Sequence, residues 1–342
     1  MKKPLLEAIR ERPLLGDGAM GTQLMLAGLE QGGCGEEWNL IHPDRVLAIQ
    51  RRYAEAGSDC VLSNTFGGSR IMLNRHGSAD KVAEINAAGV RIVREAFASV
   101  GRDGYVIGDV GPFGGLMEPY GEFTEDQVRD AFTEQAKALV DAGADAIIVE
   151  TQTSLEELAL GIDAAKAAGA KCVIGSMAYD VTLDGETFRT MMGIDPENAA
   201  EFMQERGAHI VALNCGTGMD MIRAGEAVRR YKQTTRLPVM AQPNAGQPKL
   251  VNMKVCYDQT PEEMVKGVVP LLEAGASIIG GCCGSTPDHI RAFRRAMNEY
   301  LGINIVHADA GFVVGVLWQP GDRGGIDLAQ TVFHERALAI WN

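Results

Sequence analysis

The sequence of 342 residues lacks the long apolar runs that mark membrane-spanning and secreted proteins. No run in it approaches the roughly 20 apolar residues that a membrane-spanning helix requires. Near the N-terminus, Glu7, Arg10 and Glu11 stand where a signal peptide would carry its apolar core. We therefore expect a cytoplasmic protein that does not enter a membrane.

The sequence also has fewer positively charged than negatively charged residues. The chain has 45 Asp and Glu residues against 32 Lys and Arg, which gives a formal net charge of -13 at pH 7. Affinity for nucleic acids and for anionic membrane surfaces comes from clustered Lys and Arg, so we expect neither as a partner. Hydrophobic content of 46% and charged content of 23% are ordinary for a globular protein with a large core.

Cysteine is sparse, with seven residues spread along a long chain. Disulfide frameworks are typical of short secreted chains, so we expect reduced thiols that are available for a metal or for catalysis. Cys282 and Cys283 are adjacent within a glycine-rich segment that directly follows the apolar run 276–279. This arrangement predicts ligands for a soft divalent metal at the end of a buried strand.

Four segments repeat one pattern, in which a helix end is followed by a turn glycine and then by an apolar, β-branched strand. The turn glycines are Gly57, Gly143, Gly207 and Gly275. Glycine is the usual residue just past a helix end, so each segment reads as a helix-to-strand connection. Further apolar runs lie at 14–17, 105–110, 171–177 and 237–242. Together they predict eight strands that alternate with helices.

Eight apolar strands alternating with amphipathic helices predict an α/β fold of the (β/α)8 TIM-barrel type, as a single domain over residues 1–302. A doubly wound open sheet is the alternative, but no Gly-x-Gly-x-x-Gly turn follows the first strand. Residues 303–342 form a C-terminal extension that contains Trp318, Trp341 and an alternating run at 312–318. The extension would suit a hairpin, or an arm against the barrel or a neighbouring subunit of a homo-oligomer.

The repeat also aligns the strand ends. Counting seven residues from each turn glycine gives Asn64, Glu150, Asn214 and Cys282, and counting eight gives Thr65, Thr151, Cys215 and Cys283. Barrel enzymes place catalytic groups at the carboxyl ends of the strands, and alternate strands contribute to one interior layer. Cys215 is therefore expected beside the cysteine pair. Neighbours on a regular strand face opposite ways, so the chain must bend between Cys282 and Cys283, as the flanking glycines permit.

Three thiolates without an obvious fourth protein ligand are typical of a catalytic zinc site, which keeps one position open. Such a position suits another sulfur, because a thiol loses its proton readily on coordination. The alternative is three plain core cysteines. Cys60 and Cys172 lie within strands and are expected in the core, whereas Cys34 and Cys256 lie in loops near the strand ends and are reserve ligands.

Two carboxylates lie at predicted strand ends. Asp17 ends the first strand and Glu150 the fourth, and the pair would be able to hold an ammonium group. Asp17 has an alternative role as a turn residue between two glycines. For Glu150 that alternative is weaker, because an apolar site does not tolerate an unpaired carboxylate.

These residues carry a resemblance to a known family. The motifs are Gly16-Asp17-Gly18-Ala19-Met20-Gly21-Thr22, Ser63-Asn64-Thr65-Phe66, Val149-Glu150-Thr151, Leu213-Asn214-Cys215, and Gly280-Gly281-Cys282-Cys283-Gly284 with Pro287-Asp288-His289-Ile290. In this order they resemble the homocysteine S-methyltransferase family from about Leu14 to Leu301. The resemblance implies zinc bound through Cys215, Cys282 and Cys283, with the sulfur of homocysteine as fourth ligand. It implies that Asp17 and Glu150 lie near the amino acid moiety, with Gly18 and Asn214 as further substrate-binding residues.

Gly111-Pro112 and the segments 190–193 and 243–246 are most similar to the homocysteine module of cobalamin-dependent methionine synthase and its stand-alone bacterial relatives. The resemblance implies methyl transfer to homocysteine, giving methionine. The methyl donor stays open between a methyl-corrinoid carried by a separate protein, which we expect first, and a small onium compound such as S-methylmethionine or a betaine. A caged cation needs aromatic faces. The aromatic residues near the predicted strand ends are Trp38, Phe66, Phe113, Tyr120 and Tyr179.

Two other functions remain open. One is a zinc-dependent methyltransferase that acts between another methylated substrate and a corrinoid protein or another thiol. The other is a non-catalytic metal- or partner-binding barrel in which zinc only stabilises the fold. Turnover with homocysteine, turnover with another thiol alone, and absence of thiol binding would distinguish the three.

Overall fold

The computed structural model describes residues 2–251, 254–307 and 313–317. The main element is an eight-stranded sheet in which every paired neighbour is parallel. Its strands are β1 (Leu14–Leu15), β2 (Cys60–Leu62), β3 (Tyr105–Val110), β4 (Ala146–Gln152), β5 (Val173–Met177), β6 (Ile210–Asn214), β7 (Val239–Gln242) and β8 (Ala276–Ile279). Consecutive strands pair from β2 to β8, and β8 pairs with β1. The predicted (β/α)8 barrel is confirmed.

Helices follow the strands and cover the outside of the barrel. The α-helices of the described residues are Leu5–Glu11, Met20–Leu26, Trp38–Ile41, Pro43–Ala56, Arg70–Asn74, Val82–Ser99, Glu125–Asp141, Leu155–Ala167, Pro196–Glu205, Met221–Thr234, Pro261–Met264, Val268–Ala274 and Pro287–Tyr300, with short 3-10 turns at Ala79–Lys81 and Val265–Gly267. Their starts are encoded locally. Thr124 accepts the backbone N–H of Gln127, whose side chain bonds back to Thr124, and Asp195 caps a helix that begins with a proline.

The turn glycines of the sequence repeat have the backbone conformation that their position requires. Gly57 and Gly275 cap their helices with φ of 107° and 104°, and Gly143 and Gly207 have φ of 90° and 85°. Such left-handed values strain any residue with a Cβ. The glycine signal in the sequence therefore marked the real helix-to-strand connections.

The barrel interior is filled by alternate strand residues. Its apolar cluster includes Leu62, Ile107, Ile148 and Ile174, and Leu5 and Ile9 of the first helix pack in the same cluster. Cys60 and Cys172 belong to it as well, which agrees with the core positions expected for them. The same alternation places polar interior residues at the carboxyl ends of the strands.

Within the described residues, three antiparallel pairs lie outside the barrel. They join Asp180–Val181 with Phe188–Arg189, Pro248–Val251 with Lys254–Tyr257, and Ile303–His307 with Val313–Leu317. The last pair lies in the C-terminal extension, where the alternating run suggested a hairpin, while Trp318 and Trp341 lie outside the described residues. The division at residue 302 stays a prediction. Among the described helices, none has both the length and the apolar composition needed to cross a bilayer.

The seam between β1 and β2 is closed largely by carboxylates. The N–H of Asp59 donates to the carbonyl oxygen of Leu15 at 2.7 Å. In return, the Asp59 carboxylate accepts the N–H of Leu15 at 2.9 Å. Two residues beyond Leu15, the Asp17 carboxylate accepts the N–H of Leu62, also at 2.9 Å. Two aspartate side chains thus supply hydrogen bonds that a strand ladder provides elsewhere in the barrel.

Asp59 also gathers guanidinium groups from distant parts of the chain. Arg294 of the last helix lies 2.5 Å from its carboxylate, Arg12 lies 3.1 Å away and Arg102 lies 3.6 Å away. Burial raises the pKa of Asp59, but Arg294 and Arg12 outweigh burial and hold that pKa well below its ordinary value. This ion cluster ties the last helix to the barrel seam.

Replacing Asp59 by Ala should destabilise the fold strongly, because it leaves the buried Arg294 guanidinium without its carboxylate. We expect the free energy of unfolding, measured by urea titration, to fall by about 3 to 5 kcal/mol. The matched control is Asp163→Ala, which removes an exposed ion pair with Arg206 and should change that free energy by less than about 1 kcal/mol. Equal, small losses in both variants would contradict the importance of the seam cluster.

The same ion cluster should make the free energy of unfolding depend on pH. The pKa of Asp59 is lower in the folded chain than in the unfolded chain, where it is about 3.9. The contribution of Asp59 to the free energy of unfolding is therefore fully present above the pKa of the unfolded chain. It is lost as the pH falls from that pKa towards the pKa of the folded chain. The difference in unfolding free energy between wild type and Asp59→Asn should shrink below about pH 4.

Candidate active site

The three predicted metal-binding cysteines meet at the mouth of the barrel. The Sγ atoms of Cys215, Cys282 and Cys283 all lie within 4.8 Å of one another. Cys283 Sγ is 4.0 Å from each of the other two sulfurs. All three side chains are partly exposed. The reserve ligands Cys34 and Cys256 do not belong to this group of thiols.

The cysteine pair lies in a turn and not on a strand. We expected the eighth strand to continue to Cys283, but it ends at Ile279. Beyond Ile279, the N–H of Gly280 donates to the carbonyl oxygen of Ala241, and the N–H of Gly281 donates to the carbonyl oxygen of Asp17. A Cβ on Gly280 would lie only 2.9 Å from the carbonyl oxygen of Asp17, so this approach requires glycine.

The turn itself brings the two sulfurs to one side. The N–H of Ser285 donates to the carbonyl oxygen of Cys282 at 3.1 Å, and its hydroxyl donates to the same oxygen at 2.6 Å. Gly284 has φ of 79°. The bend that the sequence required between two adjacent ligands is thus a tight turn, fixed by Ser285 and a left-handed glycine.

Cys215 reaches the cluster through a strained backbone. Its φ is 57°, and Thr151 on β4 has φ of 58°, a region that costs a non-glycine residue about 1 to 3 kcal/mol. With this backbone conformation, the side chains of the adjacent residues Asn214 and Cys215 both face the cysteine pair. Asn214 Nδ2 lies 3.9 Å from Cys282 Sγ, and Cys215 Sγ lies 4.0 Å from Cys283 Sγ. On a regular strand these two side chains would face opposite ways.

Polar groups surround the sulfurs. Asn244 Nδ2 donates to Cys215 Sγ at 3.7 Å and to the carbonyl oxygen of Gly216 at 3.1 Å. The Tyr257 ring packs directly on Gly284, next to Cys283. The contacts among the three thiols lower the pKa of Cys215 and raise the pKa values of Cys282 and Cys283. These surroundings favour loss of a proton from Cys215 first.

The donor set fits zinc. Sulfurs bound to one tetrahedral zinc at about 2.3 Å would lie about 3.8 Å apart, and the separations involving Cys283 are 4.0 Å. Three thiolates are a common ligand set for this ion. They leave one coordination position for a fourth ligand.

A layer of polar side chains lies inside the barrel beside the cysteines. Strand alternation places it directly above the apolar interior cluster. Its members, all buried, are Asp109 of β3, Glu150 of β4, Ser176 of β5, Asn214 of β6 and Gln242 of β7. The layer forms a polar pocket at the carboxyl ends of the strands, where barrel enzymes bind their substrates.

Asn214 joins the predicted substrate-binding residues to the metal-binding residues. Its Nδ2 donates to Glu150 Oε2 at 2.9 Å and to Thr151 Oγ1 at 2.7 Å. Its Oδ1 accepts the Ser176 hydroxyl at 2.7 Å and the N–H of Thr151 at 3.0 Å. Every polar atom of the amide is used, so its orientation, and that of Glu150, is fixed.

Asp17 and Glu150 are both buried carboxyls in this region. Burial raises the pKa of Asp17 to about 8 and the pKa of Glu150 to about 7. No Lys or Arg within the described residues is among the groups that shift either value. Carboxyls that lack a protein cation in this way are suited to binding one from a substrate.

Gly18 lies where the loop after β1 touches the cysteine turn. A Cβ there would lie 2.7 Å from the hydroxyl oxygen of Ser285 and 3.0 Å from the Tyr53 ring. Close packing thus accounts for the glycine, and its role as a substrate-binding residue stays a prediction.

Site residues of two kinds were not predicted from the sequence. Asp109 stands in an apolar strand two positions beyond the interior residue Ile107, and this alternation was a usable signal. Tyr257 and Asn244 reach the cysteines from the segment after β7. No local pattern marks Tyr257, whereas Asn244 lies in the motif 243–246, which carried the family resemblance but was not assigned to the site.

Comparison with known proteins identifies the family of the chain. The family model described as homocysteine S-methyltransferase matches residues 14–297. The methionine synthases of Mycobacterium leprae and Mycobacterium tuberculosis are 36% identical over 306 residues and 34% identical over 305. Each alignment covers 86% of this chain and 25% of the relative. The chain thus spans about a quarter of the length of these relatives.

A solved structure shares the fold. The metallated form of the homocysteine methyltransferase MmuM from Escherichia coli gives a TM-score of 0.70 at 21% identity, covering 86% of this chain and 99% of that chain. The residues matched by the family model extend from β1 to the last α-helix and include all three clustered cysteines. On this evidence, the chain belongs to the homocysteine S-methyltransferase family.

Proposed function

We propose that this chain transfers a methyl group to the sulfur of homocysteine, giving methionine, with zinc held by Cys215, Cys282 and Cys283. The observation that carries the proposal is the cluster of three sulfurs within 4.8 Å, open to the barrel mouth and adjacent to a pocket of buried carboxyls. Family membership supports homocysteine as the acceptor. The name methionine synthase, carried by the mycobacterial relatives, supports the product.

Zinc in this site would supply an open coordination position at which a thiol loses its proton near neutral pH. The residues of the chain fix the geometry around that position. Asn244 hydrogen-bonds Cys215, the Tyr257 ring packs on Gly284 beside Cys283, and Ser285 holds the turn that carries the cysteine pair. These contacts orient the ligands before substrate arrives, which lowers the entropy lost on binding.

The pocket carboxyls orient the amino acid part of the acceptor. Asp17 and Glu150 accept hydrogen bonds from its ammonium group, and Asn214 keeps Glu150 aimed into the pocket. Gly18 lies beside the cysteine turn, so backbone at this position is close to the bound acceptor. Because Asn214 also approaches Cys282, the ammonium and the sulfur are positioned by one connected set of side chains.

The donor that we propose is a methyl-corrinoid carried by a separate protein. A small onium donor would need a cage of exposed aromatic faces. Of the five aromatic residues considered above, Trp38, Phe113 and Tyr179 are buried at 6%, 1% and 1% exposure, which leaves two exposed faces, Phe66 at 37% and Tyr120 at 83%. Large apolar side chains are instead exposed in the segments that follow the strand ends. They are Leu116, Tyr120, Leu183, Met191, Met192 and Ile222. Such a surface suits contact with another macromolecule.

A donor screen with homocysteine as acceptor tests this function. We expect methionine to form with a methyl-corrinoid and not with S-methylmethionine or a betaine. Turnover with an onium compound would change the donor and leave the acceptor chemistry intact. Turnover with another thiol alone would favour the alternative methyltransferase, and absence of thiol binding would favour the non-catalytic barrel.

Metal analysis tests the ligand assignment. We expect one zinc per chain in the wild type and loss of zinc and activity in Cys215→Ala, Cys282→Ala and Cys283→Ala, because two thiolates make a weak site. Cys256→Ala is the matched control, since Cys256 is an exposed thiol outside the cluster and its variant should keep the metal. Full zinc retention in Cys215→Ala would refute the assignment. Circular dichroism after chelation should show a folded barrel, because the site lies at its mouth and not in its core.

Replacing Glu150 by Gln tests the binding of the substrate ammonium. The variant removes a charge-assisted hydrogen bond of about 1.5 to 3 kcal/mol, so the KM for homocysteine should rise roughly tenfold to a hundredfold. Zinc content should not change. Glu197→Gln, which alters an ion pair with Arg230 on the outer helices, should leave the KM unaltered. A KM for Glu150→Gln equal to that of the wild type would show that the ammonium binds elsewhere.

A further inference from the structure

Asp109 is a buried carboxyl without a counter-ion. It is 5% exposed, and its strongest electrostatic neighbours, Glu150, Asp17 and Glu36, are all acidic. Its Oδ1 receives no hydrogen bond from any N–H or O–H group of the described residues. A charge buried in such surroundings is costly, and a carboxyl avoids the cost by taking up a proton.

Asp59 is a buried aspartate that stays ionised, and its charged neighbours differ from those of Asp109. That carboxylate is surrounded by Arg294, Arg12 and Arg102, whereas no guanidinium or ammonium of the described residues is named among the groups acting on Asp109. Burial, followed by repulsion from Glu150, raises the pKa of Asp109 well above its ordinary value. The two aspartates therefore differ in charge because their neighbours differ.

The carboxyl that matters is that of Glu150, which enters the same interior layer from the neighbouring strand β4. Two neighbouring carboxyls can share a hydrogen bond only when one of them carries a proton. Glu150 already has a donor, because its Oε2 accepts from Asn214 Nδ2 at 2.9 Å, whereas Asp109 Oδ1 has no donor among the described residues. This difference in donors favours the charge on Glu150 and the proton on Asp109, which is also the direction in which burial shifts the pKa of Asp109.

Backbone contacts hold Asp109 in place for this role. Its N–H donates to the Ser63 hydroxyl at 3.2 Å. Its carbonyl oxygen accepts from Thr65 Oγ1 at 2.7 Å and from Gln135 Nε2 at 3.2 Å. Because Ser63 and Thr65 lie at the end of β2 and Gln135 on an outer helix, the position of the side chain is set by three elements and not by β3 alone.

We propose that Asp109 is a positioning residue, which as a neutral acid donates a hydrogen bond to Glu150 and keeps the negative charge of the pocket on that residue, facing the ammonium group of the acceptor. The inference rests on the proposed function, since it takes homocysteine as the acceptor. It adds that the site selects aminothiols over thiols without an amine, and that Asp109 is needed for that selection.

The test compares Asp109→Asn with Asp109→Ala on two acceptors. One acceptor is homocysteine, and the other is 4-mercaptobutanoate, which is homocysteine without its amine. Asparagine is a neutral donor of the same shape, so we expect Asp109→Asn to keep the KM for homocysteine within about threefold. Asp109→Ala leaves Glu150 without that donor and should raise the KM about tenfold or more, with kcat at saturation retained. Neither variant should alter the KM for 4-mercaptobutanoate.

Several results would overturn the inference. If Asp109→Asn is as damaging as Asp109→Ala, Asp109 acts as a charge and not as a donor. An unaltered KM in Asp109→Ala removes the role altogether, and equal losses on both acceptors indicate a merely structural role. Asp109→Ser keeps a small polar group that cannot reach Glu150, and it replaces the Ala variant in every comparison if that variant does not fold. Asp145→Asn, at the opposite end of the barrel, is the control and should match the wild type.

Two measurements separate this inference from the proposed function. Calorimetric binding of homocysteine needs no methyl donor, so a wild type that binds homocysteine without turnover would refute the activity and still test Asp109. Infrared difference spectroscopy should show the carbonyl band of a protonated carboxylic acid in the wild type, absent in Asp109→Asn. A wild type that lacks this band, or that does not bind homocysteine, would overturn the inference.

Discussion

The contact between β1 and β2 is the constraint on which both the barrel and its site depend. Everywhere else in the described sheet, neighbouring strands pair through their backbones, but here the carboxylates of Asp59 and Asp17 accept N–H groups from the opposite strand. Asp59 lies at the amino end of this seam and gathers the guanidiniums that tie down the last helix. Asp17 lies at the carboxyl end and is one of the buried carboxyls that we propose as substrate-binding groups. Closing the barrel and building the pocket therefore use the same chemical group.

Buried carboxyls at the two ends of the barrel have different neighbours, and their pKa values shift in opposite directions. Arginines keep Asp59 ionised at the amino end. At the carboxyl end no Lys or Arg of the described residues is among the groups that act on the carboxyls, and burial raises the pKa values of Asp17, Asp109 and Glu150. A pocket of this kind is destabilised when empty and favours a cationic guest, which lowers the net cost of bringing the acceptor to the sulfurs.

Most of the fold and the meeting of the three cysteines could be predicted from the sequence, because local chemistry determines them. A left-handed glycine is needed wherever a helix turns into a strand, so Gly57 and Gly275 mark the repeat, and a fixed count from each glycine reaches the strand ends. Tertiary contacts determine the rest. The early end of β8 depends on hydrogen bonds to Asp17 and Ala241, and the positive φ of Cys215 has no signature in residue type. Asp109 was not predicted, because a single acid in an apolar strand looks like an ordinary strand residue unless the alternation of interior positions is followed to the strand end.

The fixed distance between turn glycine and strand end has a consequence for how such a barrel changes during evolution. The seven residues from Gly207 to Asn214 and from Gly275 to Cys282 span the depth of the barrel, so one added or lost residue within either segment would move a ligand to the wrong face. Length changes are tolerable in the helices before the glycines and in the segments after the strand ends. Lineages of this fold should therefore accumulate insertions at those places and replace side chains at the barrel mouth, while the spacing between glycine and ligand is inherited unaltered.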